Sequence, residues 1–221
     1  MTKRAPSPEA AETKRRLLEA SVSLMRAHGY NATTVDDVCR EAGVTKGGFF
    51  HYFKSKDDIA KAAVTYFHER KVKDYEEAPF RKLPDPLDRV FGRLDYVKGA
   101  IACSTQVTKG CLMGVFAQEL AFTHPDIREI LQSYFTMIAR DFAADLAAAK
   151  AAVAPTADFD PKQVASLYLA VVQGSLMLAK IAGSNEIIHQ NIEQFRHYLQ
   201  FSFGLVPPPT QVLTRSNTET C

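Results

Sequence analysis

Residues 33–58 read TTVDDVCREAGVTKGGFFHYFKSKDD, and this stretch decides the fold of the chain. Thr34, with Asp37 three residues later, marks the start of a short helix, because such a pair can cap each other's backbone amides. Gly43 then provides a turn, and Thr45 can cap a second short helix. The pattern predicts a helix-turn-helix, which presents its second helix to the major groove of DNA.

Gly47 and Gly48 stand together in the second short helix, where each costs about 1 kcal/mol of helix stability relative to alanine. One reason to keep them is that a helix without Cβ atoms on one side can approach base edges closely. The alternative is that residues 45–51 form a loose turn that the glycines merely close. The polar side chains around them can donate hydrogen bonds to phosphate, which favours the first interpretation.

These residues resemble the recognition segment of the TetR family of bacterial repressors. Members typically have Ala-Gly-Val in the turn, Ser/Thr-x-Gly at the start of the recognition helix, then an aromatic pair, His/Tyr-Phe and x-x-Lys-Asp/Glu. The matching residues here are Thr34, Ala42-Gly43-Val44, Thr45-Lys46-Gly47, Phe49-Phe50, His51-Tyr52-Phe53 and Lys56-Asp57. The layout of the remaining predicted helices also fits the family over most of the chain.

The resemblance implies a set of DNA contacts: Thr34, Thr45, Lys46, Gly47, Phe50, His51, Tyr52 and Lys56. Thr45, Lys46 and Gly47 would approach bases or nearby phosphates, and the others would contact the phosphate backbone. Many members have tyrosine at position 50, so Phe50 lacks a hydroxyl that could bind phosphate and would offer packing alone. Tyr52 is the candidate substitute donor.

Composition fits a globular protein that contacts phosphate at one end. The 221 residues are 46% hydrophobic and 24% charged, with a net charge of +2, so the chain is not a polycation. Residues 1–74 hold 14 Lys/Arg against 10 Asp/Glu, whereas residues 75–221 hold 13 against 15. Without a continuous apolar run of about 18 residues or a secretory signal, the chain is expected in the cytosol, away from membranes.

Helical periodicity continues along the chain and strand signals are nearly absent, so we expect an all-α fold of about nine helices. After helices starting near Ala10, Thr34, Thr45 and Ser55, the expected spans are 86–104, 111–122, 125–151, 160–182 and 186–204. We expect a disordered arm at 1–9, a three-helix helix-turn-helix unit at 10–56, a ligand-binding and dimerisation domain at 57–204, and a disordered tail at 205–221.

A helix-turn-helix monomer covers one half-site, so specific binding to a palindromic double-stranded operator requires a homodimer. Residues 160–182 are apolar on more than one side, which indicates two packing partners. Together with 186–204 they are the candidate dimer interface, and the resemblance implies a four-helix bundle there. The alternative is that both helices only complete a monomeric core.

The middle of the chain has the mixture of side chains found in small-molecule sites. The candidate pocket residues are Phe91, Cys111, Met113, Phe116, Tyr134, Met137 and Gln173. Ordinary core packing gives the same pattern, so the composition does not identify the pocket. Residues 109–114 resemble the Gly-Cys-Leu opening of the sixth helix in one branch of the family, and an unknown small-molecule inducer is the expected partner.

Cys103 or Cys111 could instead make the protein a redox-sensing repressor, since a thiol with a depressed pKa can act as a trigger. The four cysteines lack C-x-x-C spacing, and the six histidines do not cluster at metal-ligand spacing. We find no H-E-x-x-H, no G-x-S-x-G and no glycine-rich phosphate loop. The sequence therefore predicts neither an enzyme nor a bound metal or cofactor.

Overall fold

The computed structural model describes residues 7–102 and 110–205, which form nine α-helices and no strand. The predicted all-α class is confirmed. The helices are α1 (Pro8–His28), α2 (Val35–Ala42), α3 (Lys46–Tyr52), α4 (Lys56–Glu76), α5 (Pro86–Ala102), α6 (Leu112–Glu119), α7 (Pro125–Val153), α8 (Pro161–Ala182) and α9 (Glu186–Ser202).

The first three helices, here called the head, begin at capping side chains. Thr34 and Asp37 form the predicted capping box at the start of α2, and the Thr45 hydroxyl accepts the Gly48 amide at 3.1 Å at the start of α3. Gly43 ends α2 with φ of 62°, a conformation that favours glycine. The local sequence therefore produces the two short helices and the turn between them.

α4 connects the head to the rest of the chain because its two sides pack into different cores. Ile59 and Ala63 lie in the core that the head forms. Ala60, Val64 and Phe67 lie in a second core with α6 and α7. α4 thus links the two cores through packed side chains.

The remaining helices, α5 to α9, are here called the body. Their main core is formed by side chains of α5, α7, α8 and α9, such as Leu94, Phe142 and Ile192. The proline-rich break before α5 contains a 3-10 helix at Pro79–Lys82, which the sequence did not predict. Phe80 anchors it, because its side chain is 3% exposed and packs against Tyr75 and Tyr96.

Several helix ends differ from the predicted ones by two or three residues. α1 begins at Pro8 rather than near Ala10, because the Ser7 hydroxyl caps it and proline fits the first turn. Pro8 and Glu9 are therefore helical and not part of a disordered arm. α6 ends at Glu119, since a turn follows before Pro125 begins α7. Residues 1–6, 103–109 and 206–221, and the predictions made for them, lie outside the described residues.

Candidate nucleic-acid interface and cavity

α3 is held to the protein by few contacts. Phe49 is its only buried residue, and Tyr52 is half-buried. Five of the predicted DNA-contacting positions are exposed on or next to this helix: Thr45, Lys46, Gly47, Phe50 and His51. Phe50 is 50% exposed although it is a large apolar side chain, and its ring stacks edge-on against Phe49 at 5.2 Å. The helix therefore exposes most of its surface.

The two adjacent glycines of α3 have different surroundings. A Cβ atom at Gly48 would lie 2.9 Å from Val44 Cγ1 and 3.3 Å from Thr45 Oγ1, so packing within the head accounts for this glycine. A Cβ atom at Gly47 would have no other atom within 4 Å. No described contact explains Gly47, although glycine weakens the helix. The surface beside Gly47 is therefore open.

Four of the predicted contacts already make polar contacts within the chain, and one of them is Thr45, which caps α3. Lys46 Nζ lies 2.9 Å from Asp36 Oδ1, and both side chains are more than 60% exposed. The Thr34 hydroxyl belongs to the capping box. Lys56 Nζ donates to the Tyr30 carbonyl at 3.1 Å and lies 4.1 Å from the Tyr30 ring centroid. Lys56 thus fastens the start of α4 to the loop after α1, a role that the sequence did not indicate.

A cavity of about 290 Å³, here called the body cavity, lies between α1, α4, α5, α7 and α8. Cys111, Tyr134 and Gln173 of the predicted pocket line it. Met113 and Phe116 do not, because both are fully buried in the core that α4 shares with α6 and α7.

Two other predicted pocket residues also lie elsewhere. Phe91 packs under the Arg196 guanidinium at 5.5 Å, and Met137 is half-buried on α7. Helical spacing alone does not distinguish a core position from a cavity wall.

Arg93 is the most deeply buried of several polar residues of the body cavity that the sequence reasoning missed. Its side chain is 1% exposed, and Nη2 donates to Asp141 at 2.9 Å and to Asp145 at 3.0 Å. Burial alone would raise the pKa of Asp141, but hydrogen bonds from Tyr75 and Arg93 lower it overall. The available signal was position: Arg93 follows Val90 by three residues and precedes Val97 by four, on the apolar side of α5.

The wall of the body cavity is bonded directly to the end of α1. Arg26 lines the cavity and donates from Nε and Nη2 to the Gly110 carbonyl at 2.9 and 2.7 Å. Lys180 Nζ, near the end of α8, donates to the Arg26 carbonyl at 3.0 Å. At the other end of α6, the Glu119 carboxylate accepts the Asn31 amide at 2.9 Å. The residues just before α6 thus contact the last turn of α1, and the end of α6 contacts the loop between α1 and α2.

The surface of α8 and α9 carries an exposed apolar strip. Its large exposed side chains are Leu167, Met177, Leu178, Ile181, Tyr198 and Phe201. α8 is the one helix in the described ranges whose length and composition would let it cross a membrane, with a mean hydropathy of 1.6, and 28% of that window is buried. The rest of the window is half-buried or exposed.

Comparison with known proteins identifies the family. A profile described as bacterial regulatory proteins of the tetR family matches residues 17–63, and one described as a tetracyclin repressor-like C-terminal domain matches residues 86–195. The chain belongs to the TetR family. It is therefore a DNA-binding transcriptional regulator of the repressor type, as its helix-turn-helix predicted.

Curated TetR-family relatives match over nearly their whole length. The transcriptional regulator AcuR of Cereibacter sphaeroides is 27% identical over 87% of this chain and 88% of its own. The repressor DhaR of Mycobacterium sp. is 23% identical over 92% and 97%. A crystal structure of a regulatory protein TetR from Rhodobacter sphaeroides superposes with a TM-score of 0.73 at 25% identity, covering 84% of this chain and 98% of that one.

Proposed function

We propose that this protein is a cytoplasmic, homodimeric repressor that binds a palindromic operator through α3 and is released when a small molecule occupies the body cavity. The empty space beside Gly47, on an exposed helix that begins with Thr45 and Lys46, is the observation that carries the proposal. Residues 10–56 would read DNA, and residues 57–204 would bind the ligand and the second subunit.

The DNA contacts would form by exchange of partners. An exposed ion pair is worth about 0–1 kcal/mol, so Lys46 can leave Asp36 for a phosphate at little cost. His51, Phe50 and Tyr52 would pack against or bond the backbone beside α3. Thr34 and Lys56 would contact phosphate from the starts of α2 and α4, and Lys56 would have to give up the Tyr30 carbonyl to do so.

The apolar strip of α8 and α9 would be the dimer interface. Leu178 and Ile181 are 42% and 78% exposed, and burying such side chains contributes about 25 cal/mol per Å² of apolar surface. Two heads held at a fixed separation can engage half-sites about 34 Å apart on one face of the duplex. Dimerisation through this strip is therefore part of the proposed mode of DNA recognition.

A bound ligand would release the protein from DNA through α6 and α1. The body cavity is walled by Gly110 and Arg26, the same pair that joins α6 to α1. A ligand that separates or reorients this wall would shift the end of α1, and with it the helix-turn-helix. Such a ligand weakens operator affinity only if it binds the non-DNA-binding shape more tightly.

Gly47→Ala tests whether α3 contacts the operator, and Gly99→Ala is the matched control. A Cβ atom at Gly99, on the exposed side of α5, would likewise meet nothing within 4 Å. Both variants should fold, but only Gly47→Ala should lose affinity in an electrophoretic shift assay with DNA from the gene's own upstream region. Equal operator affinity of both variants would contradict a role of Gly47 in close approach to DNA.

A thiol-based trigger is a second candidate function, because Cys111 lines both the body cavity and the adjoining cleft between α6 and α8. Oxidation there would change the same wall that a ligand would move. Cys103 lies outside the described residues. Operator release by oxidant that persists in Cys103→Ser and Cys111→Ser proteins would remove this candidate.

A further inference from the structure

The lining of the body cavity carries more positive than negative charge. Three cationic side chains, Arg26, Lys71 and Arg93, face one carboxylate, that of Asp74. Lys71 Nζ lies 2.9 Å from Asp74 Oδ2, so these two charges balance each other. Of the other two cations, Arg93 is the buried one, with 1% of its side chain exposed.

The charges behind Arg93 do not remove this excess. Arg93 shares Asp141 with Arg81 and shares Asp145 with Arg89. Three guanidinium groups against two carboxylates leave one positive charge. Arg93 Nε, moreover, has no hydrogen-bond partner in the described part of the chain. A buried donor without a partner costs free energy, and an anionic acceptor within its reach would offset that cost.

Two tyrosines of the cavity wall can supply hydrogen bonds to an anion. Within residues 7–102 and 110–205, the hydroxyls of Tyr134 and Tyr168 have no hydrogen-bond partner. Burial raises the pKa of Tyr168 to about 12 and also raises that of Tyr134, so both remain protonated donors. The Tyr168 ring centroid is 4.8 Å from that of Phe142, and the Arg93 guanidinium is 4.7 Å from the same ring. Tyr168 and Arg93, both in the cavity wall, thus pack against the same ring.

We propose that the ligand of the body cavity is a small carboxylate with an apolar body, attracted by Arg93 and hydrogen-bonded by Tyr168. This inference rests on the proposed function and names the class of its inducer. The rest of the lining is mostly apolar, with Phe67, Phe135 and Leu169 among its members. A volume of about 290 Å³ lies at the lower end for small-molecule sites, which limits the ligand to a compact molecule.

Matched pairs of probes test the charge of the ligand directly. Butanoate, hexanoate and benzoate are compared with butanamide, hexanamide and benzamide by isothermal titration calorimetry on the full chain at constant ionic strength. Each carboxylate should bind about tenfold or more tightly than its amide, because hydrogen bonds to charged groups are the stronger ones. Carboxylates that bind no better than the amides, including a panel in which neither binds, would overturn the proposal.

Tyr168→Phe then tests the assigned donor, with Tyr96→Phe as the control. The Tyr96 hydroxyl also belongs to the cavity wall but already donates to the Asp74 carbonyl at 3.2 Å. Tyr168→Phe should weaken carboxylate binding by about tenfold without lowering the melting temperature, since the lost hydroxyl has no partner in the described chain. Tyr96→Phe should leave binding nearly unchanged. Equal losses in the two variants, or none in either, would overturn the role of Tyr168.

Operator binding by the ligand-free protein, measured in parallel, separates the two proposals. Failure to prefer its upstream DNA over a scrambled duplex would contradict the proposed function, whatever the cavity binds. Normal operator binding that is released by neutral compounds, and not by carboxylates, would overturn the anion proposal alone.

Discussion

The Arg26 guanidinium donates two hydrogen bonds to the Gly110 carbonyl, so that the last turn of α1 is bonded to the start of α6. Burial lowers the pKa of Arg26, because removal from solvent disfavours the charged guanidinium. The pair lies between the body cavity and the helix-turn-helix, where a change in one can reach the other.

Arg26→Lys should lower the free energy of unfolding by about 1–3 kcal/mol, because lysine cannot make the paired hydrogen bonds to one carbonyl. Urea denaturation measures the loss. Arg16→Lys is the control on the same helix, since Arg16 is exposed, and this change should stay within about 0.5 kcal/mol of the wild type. Equal effects at both positions would contradict the structural role assigned to Arg26.

Gly47→Ala and Gly48→Ala should change stability in opposite directions. Alanine at position 47 meets no other atom and should stabilise α3 by up to about 1 kcal/mol. Alanine at position 48 would press against Val44 and should lose that gain or destabilise the protein. Thermal denaturation of the two variants measures the difference, and a more stable Gly48→Ala protein would show that the head is packed differently.

We expect the free energy of unfolding to fall at acidic pH because the Asp141 carboxylate becomes protonated. Its pKa is lowered in the folded protein, so its contribution is fully present above the ordinary value of 3.8 and is lost as the pH falls through the lower, folded value. Asp141→Asn should cost about 1.5–3 kcal/mol at pH 7 and flatten the acid limb of the unfolding profile. Asp88→Asn changes an exposed carboxylate on α5 and should not alter how the free energy of unfolding decreases at acidic pH. An unchanged acid limb in Asp141→Asn would refute the assignment.

Ile181→Glu should produce monomers, because it places a charge in the apolar strip of α8. Sedimentation velocity measures the mass, and the monomer should bind a full operator more weakly than the wild type. Val153→Glu is the control, since Val153 is an exposed apolar residue at the end of α7, outside the strip. A dimeric Ile181→Glu protein would indicate an interface elsewhere.

The sequence predicted those features that depend on neighbouring residues. Thr34, Thr45 and Ser55 cap α2, α3 and α4 as expected, because a capping hydrogen bond spans only three residues. Lys56 shows the limit of such reasoning: its partner, Tyr30, is 26 positions away, and only the folded chain brings the two together.

The sequence did not distinguish residues that line the body cavity from residues that fill a core. Phe116 and Tyr134 are both aromatic residues at helical spacing, yet Phe116 fills a core and Tyr134 lines the cavity. Their difference arises from how α6 and α7 face their neighbours, which periodicity does not encode. Arg93 is a charged residue on the apolar side of α5, and it was a stronger sign of an unusual site than the spacing of the aromatic residues.

Footprinting of the purified protein on its own upstream DNA tests the central claim most directly. A protected palindrome with half-site centres about 34 Å apart, lost in Gly47→Ala but retained in Gly99→Ala, is the predicted result. Protection that does not distinguish the natural sequence from a scrambled duplex, or that is unaffected by Gly47→Ala, would contradict DNA recognition by α3.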